Sequence, residues 1–276
     1  MPVWSVEDHL ELELEDVREA IVRIVGGDVS VTAAPGPARL EVRRLGGGPV
    51  DVRHELGAMR IVQPEWAWSG WRRLLEGFRL VDVPFFASPV TEASIALSVP
   101  PETRVDVRAV SASVLVSGLA APARAITVSG TVTLNQLRDV VDVKTVSGDV
   151  AARGLGGDLK AKTLSGDVTV ADGSCRWLDA KTVSGKVLLD LDLEPDGVYE
   201  IGTVSGDVAL RLPPDPSLLV DASSVSGGLE SDFDLRWDDH RAGRKRLRGT
   251  IGDGRARLFV KTVSGDLRLF RRREAA

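Results

Sequence analysis

The sequence predicts an all-β fold, a solenoid-like stack of short strands in repeats of about 18–21 residues, with one short Trp-rich helical insert. Three observations predict it. Lys144-Thr145-Val146-Ser147-Gly148-Asp149-Val150 recurs at Lys162–Val168, Lys181–Val187, Thr203–Val208 and Lys261–Leu267, with weaker copies around Ser111, Ser129 and Ser226. The motif serines fall at 111, 129, 147, 165, 184, 205, 226 and 264, in steps of 18, 18, 18, 19, 21, 21 and 38. The last step reads as two turns with one motif lost. Within each copy Val146, Gly148 and Val150 alternate with Ser147 and Asp149, the period of a strand. A half-repeat, Leu155-Gly156-Gly157-Asp158-Leu159, lies midway between copies, so each turn holds two short strands. Stacking sets like on like about 4.8 Å apart, and the repeated Gly permits a sharp corner or a close backbone approach.

Residues 1–104 read as an irregular N-terminal β region, the first coils of the same structure. Leu10-Glu11-Leu12-Glu13-Leu14 is a half-buried strand, and Ile21 to Val25 leads into a degenerate motif corner at Gly26-Gly27-Asp28. Pro35-Gly36-Pro37 and Gly46-Gly47-Gly48-Pro49 are turns between further short strands ending at Pro64.

Residues 65–78 break the pattern. Trp66, Trp68 and Trp71 are half of the six tryptophans, and Trp71, Leu74, Leu75 and Phe78 share one face of a short helix opposite Arg72, Arg73 and Glu76. Such a helix caps the open end of a stack. The same face also suits docking on a partner or a membrane surface.

Strands resume at Leu80–Val83 and Ile95–Val99, and the repeat domain spans 105–270. Longer steps after Ser184 carry Pro195-Asp196-Gly197 and Pro213-Pro214-Asp215-Pro216, read as edge loops. Residues 231–257 read as a charged loop interrupting the array. Arg241, Arg244, Lys245, Arg246 and Arg248 form its basic run, a solvated loop or an anion and partner site. A basic tail, 271–276, follows, its arginines discouraging end-to-end strand pairing.

Composition narrows the function classes. A net charge of −5 gives no footprint for nucleic acid. One cysteine, Cys175, excludes an internal disulfide and fits a reducing compartment. The N-terminus has no basic, apolar leader pattern and no stretch reaches 18 apolar residues, so a cytoplasmic location is expected. Val-Ser-Gly occurs seven times without a paired His, which assigns these serines to structure rather than nucleophilic catalysis. His9, His54 and His240 are scattered without metal-ligand spacing, and phosphate-binding glycine loops are absent. No enzyme activity, cofactor, metal or small-molecule substrate is expected. Asp149, Asp158 and Asp167 lie nine residues apart, each after Gly, a spacing shared with calcium β-rolls. Lys186 and Thr131 replace the Asp in two coils, and a parallel column of Lys144, Lys162, Lys181 and Lys261 can offset the acids, which favours a structural role.

At the repeated Thr-Val-Ser-Gly-Asp-Val, the lead-in Val105–Ser111 and Gly252-Asp253-Gly254, the sequence resembles a bacterial family of unknown function called putative adhesins, with β-strand repeats. The resemblance covers roughly residues 20–270 apart from the Trp-rich insert. It implies a layered β-repeat fold and transfers no catalytic residue. Similar domains lie near envelope-stress regulators. The expectation is therefore a non-enzymatic scaffold that binds a protein partner or itself. An envelope-stress component docking through the Trp-rich insert, a calcium-ordered β-roll and a β-helical polysaccharide lyase or hydrolase are the competing readings.

Overall fold

The computed structural model describes residues 3–64, 92–239 and 245–272. Among them every regular element is a strand. The expected helix at 65–78 lies outside the described residues. Two compact units, Met1–Asp139 and Val140–Ala276, make up the chain. This division differs from a boundary near 104, because strand Arg104–Ser117 pairs along its length with the early strand Glu19–Ala33.

In the N-terminal unit the long strand Glu19–Ala33 is the centre of two ladders. It runs parallel to Arg104–Ser117, from Glu19 beside Arg104 to Thr32 beside Ser117. On its other side the first half pairs in parallel with Ala58–Val62 and the second half with Glu92–Val99. The corner between the halves is Gly27, where φ is +109° and an added Cβ would lie 2.1 Å from the Ala93 carbonyl oxygen. Only glycine fits such a position. Beyond Ala58–Val62 and Glu92–Val99 the pairing turns antiparallel, through Val50–Glu55 to Val3–Val6 and through Ala38–Gly46 to His9–Leu14. The N-terminal region thus joins parallel coil strands to antiparallel ones. Only Val50–Glu55 with Ala58–Val62 is a hairpin among these antiparallel pairs, and the others are paired across long stretches of sequence.

The C-terminal unit stacks coils of two strands each. One ladder joins Val141–Lys144, Leu159–Lys162 and the second half of Val168–Lys181 to residues 198–202. The other joins Val150–Leu155, the first half of Val168–Lys181, residues 187–193 and Val208–Leu212. The pairings in these two ladders are parallel, and like residues sit in register: Val150 beside Val168, Val168 beside Val187, Val187 beside Val208. These valines are buried. In-register parallel strands with buried apolar columns satisfy both the backbone and the core.

The order of the last coils departs from the order of the chain. Ala256–Thr262 lies between residues 198–202 and Leu218–Ser224, parallel to both. Leu267–Arg271 likewise lies between Val208–Leu212 and Leu229–Ser231. The step of 38 residues therefore hides no lost motif. The chain skips one coil position after Leu212, builds the next coil out, and returns to fill the gap. Residues 232–255 make the return journey. Instead of an open charged loop they contain Arg236–Asp239 and Lys245–Ile251, paired antiparallel with each other, and Lys245–Ile251 also pairs antiparallel with Leu218–Ser224.

The motif corners of the C-terminal unit share a set of contacts, made in full at Thr163, Thr182 and Thr203. The motif Thr is buried, and its Oγ1 accepts the N–H of the Gly three residues on, at 2.9 Å for Thr145 and Gly148 and 3.0 Å for Thr182 and Gly185. The same hydroxyl donates to the neighbouring coil's Gly carbonyl, as Thr182 does to Gly166 at 3.1 Å. Ser224 does both where the motif carries Ser instead. Thr182→Val keeps the shape and removes the hydroxyl, leaving the buried Gly185 N–H without its acceptor. A loss of about 1–3 kcal/mol in urea unfolding is expected, with Thr182→Ser recovering most of it. Equal stability of the two variants would contradict this role for the hydroxyl.

Candidate functional site

The motif corners of the C-terminal unit present a different face from the one that strict alternation predicts. Gly148 and Val150 are buried and Ser147 and Asp149 exposed, as expected, but Val146 is only half-buried. The backbone bends at Val146 and Ser147, so alternation fails there and the Thr rather than the Val turns inward. In the later coils the equivalent side chains are more open: Val183 is 39% exposed, Val204 43%, Val263 46% and Val225 40%. Taken in spatial order, these four coils set an apolar stripe beside a column of exposed Ser184, Ser205, Ser264 and Ser226.

The Asp column flanks the stripe and has a structural use. Asp149 Oδ1 accepts the Asp167 N–H at 2.9 Å, and Asp167 Oδ1 accepts the Lys186 N–H at 2.7 Å. Asp207 accepts from Asp266, and Asp266 accepts from Gly228. Asp158, in the half-repeat, accepts the Trp177 N–H at 2.8 Å. These carboxylates tie neighbouring coils together through backbone donors, with a break at Lys186. On the other flank Lys162 and Lys181 pair with the buried Asp179 at 3.3 and 2.7 Å.

Of the residues singled out in the sequence, Lys245, Arg246 and Arg248 are described. Trp66, Trp68, Trp71, Leu74, Leu75 and Phe78 lie outside the described residues, as do Arg241 and Arg244. Lys245, Arg246 and Arg248 stand on a strand, not in a loop. Arg246 Nε donates to Asp221 Oδ1 at 2.8 Å, and Arg248 Nη2 lies 3.3 Å from the same carboxylate. The register explains this, since Asp221 sits opposite Arg248 across the antiparallel pair. The start of the basic tail is also engaged. Arg271 lies over the Phe233 ring, 5.0 Å from its centre. Arg272 reaches Asp190 and Asp192, each at 2.7 Å. Hydrogen bonds from Arg211 and Arg272 hold the Asp190 carboxyl below the usual range.

Cys175 is buried, and burial, with Asp158 and Glu194 nearby, pushes its thiol up to about 12. A thiol held protonated is no nucleophile. Its carbonyl accepts a 2.6 Å hydrogen bond from the buried Tyr199 hydroxyl, which itself accepts the Glu194 N–H at 2.8 Å.

The N-terminal unit carries a feature that sequence reading missed. The outer face of strands His9–Leu14, Ala38–Gly46 and Glu92–Val99, with part of Glu19–Ala33, is a trough of about 600 Å³. Glu11, Glu13, Ser30, Arg39, Glu41 and Ala96 are among the residues that line it. At one end the exposed His9 Nε2 is 3.5 Å from Glu11 Oε1 and 3.6 Å from Glu41 Oε1. Among the described residues these three form a group whose donor atoms lie within 4.8 Å of one another, a spacing that could hold a metal ion. Arg43 Nη2, 2.8 Å from Glu41 Oε1, already supplies a cation there. Alternation in His9–Leu14 was legible, but the pairing of Glu11 with Glu41 was not, because register across 30 residues leaves no local signal.

Comparison with known proteins supports the fold and little more. The sequence model of the family described as Toastrack DUF4097 matches residues 85–269, more than half of the 276-residue chain. No curated protein matches. Among solved structures, a putative lipid binding protein from Parabacteroides distasonis shares 12% identity at a TM-score of 0.50, covering 98% of each chain. A putative adhesin from the same species shares 12% identity at a TM-score of 0.40, covering 97% of each chain. A putative adhesin from Bacteroides fragilis shares 10% identity at 0.36, again over 97% of each chain.

Proposed function

The chain belongs to the Toastrack DUF4097 family, and from that premise we propose that it is a non-enzymatic, adhesin-like β-solenoid scaffold that binds a protein partner through the motif corners of its C-terminal unit. The observation that carries the proposal is the stripe Val183, Val204, Val263 and Val225, exposed at 39–46% on four adjacent coils. A valine at a solvent corner adds nothing to the core, whereas a row of them at fixed spacing offers an apolar contact surface. The adjoining serine column supplies hydrogen-bonding groups around it, as interfaces require. The neighbouring Asp and Lys columns are largely occupied in holding the coils together.

The test is the triple variant Val183→Asn, Val204→Asn and Val263→Asn, set beside the wild-type chain as immobilised bait. Exposed positions of this kind tolerate a neutral polar side chain with little loss of stability, so the variant is expected to keep its melting temperature within a few degrees. The wild type should retain a protein from the native extract that the folded variant does not. Equal retention by both would overturn the assignment of this face.

A further inference from the structure

The last coil of the chain occupies an inner place in the stack, and its two neighbours are built before it. Its strands make four parallel pairings, with residues 198–202 and Leu218–Ser224 through one ladder and with Val208–Leu212 and Leu229–Ser231 through the other. Without it, both walls of the slot expose a row of unpaired backbone donors and acceptors. We propose that this slot exchanges its occupant between copies of the chain, so that residues 256–272 of each copy complete the stack of the other in a strand-exchanged dimer.

The connections at the two ends of the coil are what make exchange feasible. At its start, Gly252-Asp253-Gly254-Arg255 crosses over the beginning of Leu218–Ser224. The turn leads from Lys245–Ile251 on the outer side of that strand to Ala256–Thr262 on the inner side. Gly252 and Gly254 both have positive φ, +58° and +66°. The turn is held by the Arg255 N–H to Ser217 Oγ at 3.1 Å and the Ala256 N–H to the Ser217 carbonyl at 3.0 Å. At its end the coil is fastened by Arg272, through ion pairs to Asp190 and Asp192 and an N–H bond of 2.7 Å to the Leu212 carbonyl. Exchange keeps every ladder, corner and ion pair and changes only the turn, which is why such dimers form at low cost.

The repeat itself supplies the opening. The walls carry the same motif as the coil between them, with Thr203-Val204-Ser205-Gly206 on one side and Ser224-Val225-Ser226-Gly227 on the other. The corner contacts that Gly265 makes with Gly206, and Gly227 with Gly265, are therefore open to the last coil of either copy. Two folding chains whose walls still stand apart offer two matching slots before either last coil has docked. The coil is then left outside with its edges unpaired, ready to enter the slot of a second copy.

The test uses two full-length chains, one carrying Ser205→Cys and the other Ser264→Cys, with Cys175 left buried. They are unfolded together in urea, refolded over a range of concentrations and oxidised. The expected result is an interchain disulfide between positions 205 and 264, found by peptide mapping, in a species of dimer mass whose fraction grows with concentration. Deleting Asp253 and Gly254 shortens the turn below what the crossing needs, and the dimer should then predominate. Ser205→Cys mixed with Ser226→Cys should give no such bond. Refolding to monomer alone at every concentration, or dimers without the 205–264 bond, would overturn the proposal. The full-length arm decides the matter even if the shortened variant does not fold.

Discussion

Gly206→Ala is expected to cost the C-terminal unit more than about 4 kcal/mol, an exceptional loss for a single methyl group. Gly206 has no positive φ, so its own backbone would accept alanine, which in an isolated strand is the better residue by roughly 0.5–1 kcal/mol. The cost arises in the neighbouring coil. A Cβ at Gly206 would stand 1.6 Å from the Gly185 carbonyl oxygen and 2.5 Å from its carbon. Backbone atoms have no rotamer to escape into, so the coils must separate, and the corner bonds that Thr203 Oγ1 accepts from the Gly206 N–H and donates to the Gly185 carbonyl are strained with them. The same crowding recurs at Gly166, Gly185, Gly265 and Gly227, each with a Cβ position 1.8–2.0 Å from a neighbouring glycine's carbonyl oxygen. Gly36→Ala is the control: nothing lies within 4 Å of its Cβ position and φ is +100°, so only backbone strain of about 1 kcal/mol is expected. Urea midpoints of the two variants measure the difference. A Gly206→Ala variant no weaker than Gly36→Ala would mean that the coils are not in contact at the motif glycines.

Val150→Asp and Val146→Asp should differ sharply although both replace a motif valine. Val150 is 1% exposed and sits in register with the buried Val168. A carboxylate there has neither water nor a partner, and a loss on the order of 3–5 kcal/mol follows. Val146, half-buried at the bend, lets a carboxylate reach solvent, and its cost should stay near about 1 kcal/mol. The pH dependence separates burial from other causes. A buried Asp has its pKa raised on folding, so the protonated folded form is favoured and the penalty is smallest at low pH. The Val150→Asp deficit should therefore shrink as pH falls towards about 4, and grow as pH rises through the elevated folded pKa. A pH-independent deficit, or equal losses at the two positions, would contradict the assigned faces.

These two positions also mark where the sequence was legible. Period, strand content, two strands per coil, the outward Ser and Asp and the close approach at glycine all follow from residues within one repeat. Alternation puts Val146 on the same inward face as Val150, but alternation holds only along straight strand, and the bend at Val146–Ser147 sets the Thr inward instead. Its buried hydroxyl caps the corner, which a polarity pattern reads as an outward group. The order of the last coils was illegible for a different reason. Coils that share one motif are interchangeable as neighbours, so nothing in Thr203–Val208 says whether Ser226 or Ser264 stacks on Ser205. The clue lay outside the repeats, in the Pro-rich connection 213–217 that spans a skipped coil and in the 24 residues from 232 to 255 that return to fill it. The trough beside His9 was hidden likewise, its walls drawn from strands paired across long separations.

The central structural claim is that the last coil lies between two earlier ones, and one cross-linking measurement tests it. Neighbouring coils stand about 4.8 Å apart, within disulfide reach, while coils two apart stand about 9.6 Å apart, beyond it. The double variant Ser205→Cys with Ser264→Cys should form an intrachain disulfide on mild oxidation of dilute native protein, seen as a single linked peptide pair by mass spectrometry. The double variant Ser205→Cys with Ser226→Cys should form none. A bond between positions 205 and 226, with none between 205 and 264, would mean that the coils stack in chain order and that the last coil caps the end instead of filling the gap.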